Sequence, residues 1–427
     1  MRILIVGSGG REHAIAWALN KSSSSGLKLF CTPGNAGIAQ VAECVPVNAT
    51  DIPRLAQLAQ EKLIDLTFVG GETTLAAGIV DDFEARGLSI IGPKINAARL
   101  ESSKAFAKDF MARHKIPTAT YRVADTAAEA IAVLKSGEFG PWDSPVVIKA
   151  DGLAGGKGVV VAASHDVAAK AIEDLMVAKT MGPEAARRVV IEEALSGPEV
   201  SLLLFSDGRD FALMPAARDH KRIGENDTGP NTGGMGVITD ESVLDSKMLS
   251  RILAEIVEPT LAGARLEGFA FCGLLFIGVM LTPAGPRVLE YNVRFGDPEA
   301  QAILVRLQSP LLDILEAMRH KQLGKAKPQW LAGASACVVL AARGYPEHPE
   351  TGARIEGLDR AAARERLEIF HAGTSRTADG DWLTAGGRVL GVTANGDTLN
   401  LALRRCYDAV GDIQWDGMQY RRDIGKQ

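Results

Sequence analysis

The sequence predicts a multidomain protein of α/β and α+β class. It has an N-terminal parallel α/β domain, a central domain carrying a glycine-rich hairpin, and a small C-terminal α+β domain. Three observations predict this. Residues 1 to about 100 alternate strand-like and helix-like stretches with short connections, the pattern of a parallel sheet covered on both faces. Beyond residue 100, paired apolar strands replace that alternation. A length of 427 residues with 46% hydrophobic content exceeds what a single core ordinarily holds.

In the first part, "RILIVG" (2–7) is a continuous branched apolar run and reads as a buried strand. Helix "REHAIAWALNK" (11–21), strand "LKLFCT" (27–32) and helix "IPRLAQLAQEK" (52–62) follow, then strand "IDLTFVG" (64–70), helix "LAAGIVDDFEARG" (75–87) and a short strand "LSIIGP" (88–93). Ligands of such sheets gather at the carboxyl ends of the strands. Here those ends are "GSGGREH" (7–13), "PGNAG" (33–37) and "GGETT" (70–74). In the centre, "SSKAFAKDFMARHK" (102–115) reads as a capped helix. Strands "PVVIKA" (145–150) and "VVVAA" (159–163) flank a glycine loop, and "RVVIEEAL" (188–195) and "EVSLLLFSDG" (199–208) meet across "SGP". The polar stretch 217–236 is long enough to predict a functional lid or disorder. "GLLFIGVML" (273–281) and "RVLEYNVRF" (287–295) form a hairpin around "TPAG". A boundary is expected near "KAKPQW" (325–330), followed by strands and a helix, "DTLNLALRRCYDAV" (397–410).

Composition excludes several classes. A net charge of −5 argues against nucleic-acid binding, so an anionic substrate must be met by local lysines and arginines. Five scattered cysteines with no C-x-x-C pair make a poor disulfide framework and suit a reduced, cytoplasmic protein. The N-terminus lacks the basic start, long apolar core and cleavage site of a signal peptide, and "GLLFIGVML" is too short to span a bilayer. No membrane or nucleic-acid partner is expected.

The loop in "VVIKADGLAGGKGVVVAA" (146–163) carries four glycines and two lysines. It is not a Walker A loop. Three residues separate Gly152 from Gly156, Lys157 precedes Gly158 rather than Ser or Thr, and a strand follows instead of a helix. A hairpin tip that lies over a nucleotide fits better, with Lys149 and Lys157 as cations for phosphates. The competing reading is a flexible hairpin with solvated lysines, but the entropy cost of four glycines favours function. "GSGGREH" raises dinucleotide binding, yet Glu12 stands where G-x-G-x-x-G needs glycine and no acidic residue ends the next strand. A phosphate monoester held by backbone N–H groups and Arg11, or a plain tight turn, both stay open. In "VLEYNVRF", side-chain alternation puts Glu290, Asn292 and Arg294 on one face and Leu289, Tyr291, Val293 and Phe295 on the other. A carboxylate and an amide oxygen two residues apart suit a hard cation such as Mg²⁺. A polar outer strand face is the bland alternative, and Asp297 before Pro298 reads equally as an N-cap.

Flap "KADGLAGGKGV", hinge "EEALSGPE", loop "RDHKRIGENDTGPNTGGMG" and strand "LEYNVRFGDPE" resemble, in this order and spacing, the ATP-grasp enzymes. With "GSGGREHA", "PGNAG", "SKAFAKDF" and "DTGPNTGGMG", the chain resembles one family among them from residue 1 to about 425: the phosphoribosylamine–glycine ligases, or glycinamide ribonucleotide synthetases. The resemblance implies a substrate-phosphate domain over 1–103, an ATP-grasp domain over 104–325 with its lid at about 118–193, and a C-terminal domain over 326–427. It implies joining of glycine to 5-phosphoribosylamine at the expense of ATP, through glycyl phosphate, in purine synthesis, by a monomer or weak dimer.

The resemblance also assigns residues. ATP is expected at Lys104, Lys149, Gly155, Gly156, Lys157 and Glu192, with the backbone of Glu193 and Leu195 toward adenine and Glu199 on the ribose. Mg²⁺ or Mn²⁺ is expected on Glu290 and Asn292. Substrate is expected at Gly9, Gly10, Arg11, Glu12, Asn35, Glu72, Asp219 and Lys221, and also at Arg294 and Asp297. Lys149, Lys157, Arg294 and Asp297 are the expected catalytic set, and His220 is a weaker candidate for moving a proton. The chain reads "GGETTL" (70–75) where the family usually has GPExPL, and "GLLFIGVML" supplies no second metal carboxylate. The alternatives are another ATP-grasp carboxylate–amine ligase or carboxylase-type subunit, and a nucleotide-binding regulator without turnover.

Overall fold

The structure is a computed structural model describing residues 1–21, 26–155, 157–182 and 185–426. Its N-terminal sheet is parallel throughout, in the order Glu43–Cys44, Lys28–Pro33, Arg2–Gly7, Leu66–Val69, Ile90–Ile91. The central strand shows why both faces are covered. Ile3 and Ile5 enter one core with Ala14, Ile15 and Leu19 of helix Gly10–Lys21. Leu4 and Val6 enter another with Leu55 and Leu58 of helix Ile52–Glu61. Each such side chain contributes about 1.5–3 kcal/mol when fully buried, so neither face tolerates a polar residue cheaply. The edge strand Glu43–Cys44 escaped the sequence because two residues carry no periodicity. The helix expected over 75–87 is two helices, Glu72–Ala76 and Ile79–Ala85, because Gly78 lies between them at φ +86°, a left-handed conformation.

Helices Ile95–Ser102 and Lys104–Arg113 lead into the centre, where the Ser103 hydroxyl accepts from the Phe106 N–H at 3.1 Å. A four-stranded antiparallel sheet follows, in the order Tyr121–Ala124, Val189–Glu193, Val146–Ala150, Val159–Ala162. It packs on its own small core, with Ala130 and Leu134 of one helix and Ala168 and Ile172 of another. Lys149 pairs with Val159 across the glycine loop, which is therefore a hairpin tip.

The chain then crosses into a second, larger antiparallel sheet. Among the described residues this sheet has nine strands. Eight of them run in the order Gly285–Asn292, Cys272–Thr282, Glu199–Asp207, Ala217–Asp219, Gly236–Thr239, Ala334–Ala341, Arg388–Gly396, Leu367–His371, and the ninth, Phe211–Leu213, pairs with Glu199–Asp207 off this path. The strands on either side of "SGP" thus belong to different sheets, and residues 194–198 are the connection between them. The same sheet runs from the centre of the chain into its C-terminal part, where helix Leu399–Val410 covers it with Ala402, Cys406 and Ala409 against Val338 and Val392.

Residues 217–236 are not structureless. They hold strands at both ends and a small hairpin, Arg222–Gly224 with Thr228–Asn231, between them. The C-terminal segment straps this hairpin down. Arg421, 2% exposed, donates to Asp227 at 2.6 Å and to the Arg222 carbonyl at 3.2 Å, and Asp423 accepts from the Asn226 N–H at 2.7 Å. Polarity suggested a lid because these partners lie about 200 residues away in the chain.

Candidate active site

One segment, 288–297, fronts two openings. Its first half meets the four-stranded lid. Strand Cys272–Thr282 pairs Gly278 with Glu290 and Val279 with Val288, so Leu289 is the extra residue of a β-bulge. The expected alternation therefore holds from Glu290 to Phe295 but not at Leu289. Tyr291, Val293 and Phe295 are buried, whereas Leu289 joins Glu290 beside a small cavity under the lid. Lys104, Lys149 and Glu192 line the same cavity. Lys149 donates to the Leu289 carbonyl at 3.0 Å and lies 3.0 Å from a Glu192 oxygen. Lys104 lies 3.6 Å from Glu290. Burial pushes the Glu290 carboxyl up, but Lys104, Lys221, Lys149 and Arg294 outweigh it and hold it at about 2.

Glu192 lies on strand Val189–Glu193. It is 2% exposed, clamped between Lys149 and Lys108, whose Nζ lies 2.8 Å from its other oxygen. Glu193 is half-buried and accepts from the Thr120 N–H at 2.9 Å, and Leu195 follows in the connection between the sheets. Glu199 opens its strand and pairs with Lys221. Burial lowers the Lys221 ammonium, but Glu199, Glu290 and Asp219 raise it well above the usual lysine range. Gly155 sits at the flap tip with open space where a Cβ would stand, and Gly156 lies outside the described residues. Lys157 reaches away from the cavity and donates to the Pro346 carbonyl at 3.0 Å. At the flap root, Asp151 accepts from Ser103 at 2.9 Å and from the Ala105 N–H at 2.8 Å, and pairs with Arg188 at 2.6 Å.

Arg294 ties the strand to the N-terminal sheet. Its Nε donates to Glu72 at 3.0 Å, and one Nη lies 2.9 Å from Glu101 and donates to the Asn292 amide oxygen at 3.2 Å. Glu101, 5% exposed, also accepts from the Val293 N–H at 2.7 Å. An amide oxygen has two lone pairs, so Asn292 keeps one free beside the ionised Glu290. Two oxygen donors on one strand face fit a hard divalent cation whose other positions are filled by phosphate and water. Among the described residues there is no cluster of three or more His, Cys, Asp or Glu able to hold a metal without such help.

The second opening is a cleft between the N-terminal sheet and the C-terminal part. Its walls are largely bare backbone from Gly9, Gly34, Gly373 and Gly386, with Asp297 and Arg388 as the charged groups. A Cβ at Gly9 would lie 2.9 Å from Glu12 and 3.2 Å from Asp297, and one at Gly10 would lie 2.6 Å from Gln301, so neither position accepts a side chain without movement. Glu12 is turned inward: it accepts from the Gly9 N–H at 2.6 Å and from Arg11 at 2.7 Å. Arg11 also donates to the Phe295 carbonyl at 3.0 Å. Asn35 lines the cleft and donates to the carbonyls of Ser8 at 2.8 Å and His371 at 2.9 Å, tying the glycine turn to the C-terminal part.

Asp297 is not a helix cap. The helix Glu299–Leu304 begins at Pro298 without a side-chain cap, and Asp297 instead accepts from Gln301 at 2.8 Å and pairs with Arg388 at 3.1 Å. Burial alone would raise its carboxyl, but Arg388 and Arg11 keep it below the usual carboxylate range. Asp219 lies under Gly234, and burial together with the Glu299 charge raises its carboxyl. His220 has both ring nitrogens engaged, with the Gly236 carbonyl at 3.2 Å and the Gly425 N–H at 3.1 Å. It is a buried neutral strut, and the strap at 421–425 is what commits it.

Sequence reading missed Lys108, Asp151, Glu101 and Arg388. A lysine in mid-helix, an aspartate just after a strand, a glutamate in a last helical turn or an arginine in a strand carries no motif of its own. The signal that could have found Arg388 is the glycine-rich pair "HAGT" (371–374) and "AGGR" (385–388), since bare backbone beside a cation repeats the logic of the N-terminal turn.

Models of the three phosphoribosylglycinamide synthetase domains match the chain in order: the N domain over 1–101, the ATP-grasp (A) domain over 102–300 and the C domain over 335–427. A phosphoribosylamine–glycine ligase of Xylella fastidiosa is 46% identical over all of this chain and 97% of its own length. The crystal structure of phosphoribosylamine–glycine ligase from Thermotoga maritima superposes with a TM-score of 0.84 at 34% identity, covering 99% of this chain and 100% of that one. A biotin carboxylase structure from Campylobacter jejuni covers 98% of this chain and 92% of its own at a TM-score of 0.71 and 17% identity, a likeness of fold alone. The chain belongs to the phosphoribosylglycinamide synthetase family, the phosphoribosylamine–glycine ligases built on an ATP-grasp domain.

Proposed function

We propose that this chain joins glycine to 5-phosphoribosylamine, with ATP going to ADP and phosphate, through glycyl phosphate, in the cytoplasm as a step of purine synthesis. The observation that carries the reading is that segment 288–297 fronts both openings: Leu289 and Glu290 face the cavity under the lid, and Asp297 faces the cleft. A phosphoryl donor and its acceptor can therefore meet along one continuous segment, which is the geometry a two-step ligation needs.

In this reading a glycine carboxylate oxygen attacks the γ-phosphorus, ADP departs, and the resulting acyl phosphate carries a carbonyl activated for attack. The phosphoribosylamine nitrogen adds to that carbonyl, phosphate leaves, and the nitrogen loses a proton. Lys104 and Lys149 offset the nucleotide's charge on the lid side, with Gly155, Gly156 and Lys157 closing over it. The backbone of Glu193 and Leu195 faces adenine, Glu192 acts through Lys149, and Glu199 faces the ribose, with Lys221 against its carboxylate. Mg²⁺ or Mn²⁺ on Glu290 and Asn292, when bound, supplies charge neutralisation at the transferring phosphoryl group. Arg294 orients the Asn292 oxygen, and Glu72 holds Arg294. Asp297 receives the glycine ammonium, with Asp219 beneath the same loop. Gly9, Gly10 and Arg11 border the ribose 5-phosphate, with help from Arg388 and the turns at 373 and 386, while Glu12 holds the Gly9 N–H and Asn35 shapes the substrate cleft.

Exclusion of water protects the acyl phosphate, and the Lys157 contact with the Pro346 carbonyl supports a flap that closes against the C-terminal part. The domain limits that suit this scheme are 1–103, 104–325 with the lid at about 118–193, and 326–427. No described helix is long and apolar enough to cross a membrane, and small-molecule substrates acting on a monomer or weak dimer are the partners proposed. The test is ADP release with phosphoribosylamine generated in situ. Release that requires glycine and phosphoribosylamine together supports the assignment, and release indifferent to either one refutes it.

A further inference from the structure

We propose that Lys108 is a positioning residue that holds Glu192 so that Lys149 keeps its charge for a nucleotide phosphate. The proposal rests on the nucleotide reading of the cavity under the lid and concerns a residue outside the expected set. Lys108 lies on helix Lys104–Arg113 and is 2% exposed. Its Nζ is 2.8 Å from one oxygen of Glu192 and donates to the Thr118 hydroxyl at 2.7 Å. The Thr118 hydroxyl in turn donates to the Val288 carbonyl at 2.6 Å. The other Glu192 oxygen lies 3.0 Å from Lys149, which donates to the bulged Leu289 carbonyl. Four elements meet here: the core helix, two lid strands and the strand that carries Glu290.

The charge count decides the role. Two ammonium groups share one carboxylate, so this buried wall carries one positive charge in excess. A buried unpaired charge is costly, and an anion in the cavity removes that cost. Burial holds the Lys108 ammonium down at about 8, with Glu192 pulling against that and Lys149 reinforcing it. Without Lys108 the whole of the Glu192 charge would fall on Lys149, and a phosphate would find that lysine already neutralised. With Lys108 in place the carboxylate is shared, and Lys149 is held by it and by the Leu289 carbonyl without being cancelled.

The test uses the full-length protein with ADP as the probe, measured by calorimetry, alongside KM for ATP and kcat. Lys108→Met is expected to weaken ADP binding about tenfold and raise KM for ATP similarly, in the range found when groups that orient a primary ligand are removed. The kcat at saturating ATP should change less than threefold, and Lys108→Arg should retain most of the affinity. The double variant Lys108→Met/Glu192→Gln is expected to recover ADP affinity to within about threefold of the parent, because it removes the carboxylate that would cancel Lys149. If Lys108→Met does not fold, Thr118→Val removes its hydroxyl partner while leaving every charge, and a loss of ADP affinity of about threefold is expected. A variant that melts earlier but binds ADP as the parent does would reduce Lys108 to a packing role and overturn the proposal, as would a double variant as weak as the single. A parent protein that binds no ADP would overturn the nucleotide reading itself.

Discussion

Replacing Arg388 by Met should separate the substrate cleft from the nucleotide cavity. The Arg388 guanidinium comes from the C-terminal part, lies 3.1 Å from the Asp297 carboxylate and also donates to the carbonyls of Asp297 and Gly233. Met keeps much of the apolar length and deletes all three contacts. Hydrogen bonds to charged groups contribute about 1.5–3 kcal/mol each, but these share one guanidinium and do not add. The side chains are 21% and 17% exposed, so solvent takes part of that value. A net loss of about 2–3 kcal/mol follows, or roughly 30- to 150-fold at about 1.4 kcal/mol per decade. Steady-state kinetics with each substrate varied in turn should show that loss in kcat/KM for phosphoribosylamine and glycine. ADP affinity should stay within about twofold, because Lys149, Glu192 and Leu289 lie elsewhere. Arg388→Lys should fall between the two, since it restores charge without the fork. A kcat/KM within threefold of the parent, or an equal loss in ADP affinity, would refute the reasoning.

Acid sensitivity should trace to the pair His13 and His371, which join the N-terminal turn to the C-terminal part. Burial, and for His13 the His371 charge, lower them to about 3 and about 4. Both are neutral when folded and protonate at about 6.5 when unfolded, so stability is full above that pH and falls as pH drops toward 4, by up to about 2 kcal/mol per histidine at pH 5. His13→Asn keeps an acceptor for the His371 N–H and should remove about half of that slope, read as urea midpoints at pH 7.5 and 5; an unchanged slope counts against it. Gly197, in the connection between the two sheets, has φ +147°, and a Cβ there would overlap the Leu281 carbonyl oxygen. Gly197→Ala should therefore cost about 1–3 kcal/mol in urea unfolding, and no loss would show that the connection relaxes freely. Glu290→Gln should lower kcat by about 100-fold or more and weaken Mn²⁺ binding in the presence of ADP, read by electron paramagnetic resonance; retained metal binding would exclude Glu290 as a ligand.

Local pattern revealed four of the five strands of the N-terminal sheet, because each of those four lies close to a helix in the chain. The hairpin tip at 151–158 was legible for the same reason: its strands are neighbours, and the strand after Lys157 already excluded a P-loop. The large sheet was not legible as one unit, since Gly236–Thr239 pairs with Ala334–Ala341 about 100 residues later and no short-range signal marks that pairing. The bulge at Leu289 was hidden too, because the sequence there alternates without a break. Among site residues, strand alternation correctly grouped Glu290, Asn292 and Arg294. Of the partners that fix them, Glu72 stands at a strand end where ligands were expected, whereas Glu101 falls just before the helix read over 102–115 and carries no motif. Lys108 read as an ordinary helix lysine, and only the docking of the lid makes it a buried charge.

The most direct measurement of the central claim follows oxygen. Glycine labelled with ¹⁸O in its carboxylate, mixed with ATP and phosphoribosylamine, should deliver one labelled oxygen to the phosphate released, because that oxygen bridges carbon and phosphorus in the acyl phosphate and leaves with phosphorus. Phosphate formed in step with ADP but free of label would show that the carboxylate is never phosphorylated, and the account would fail.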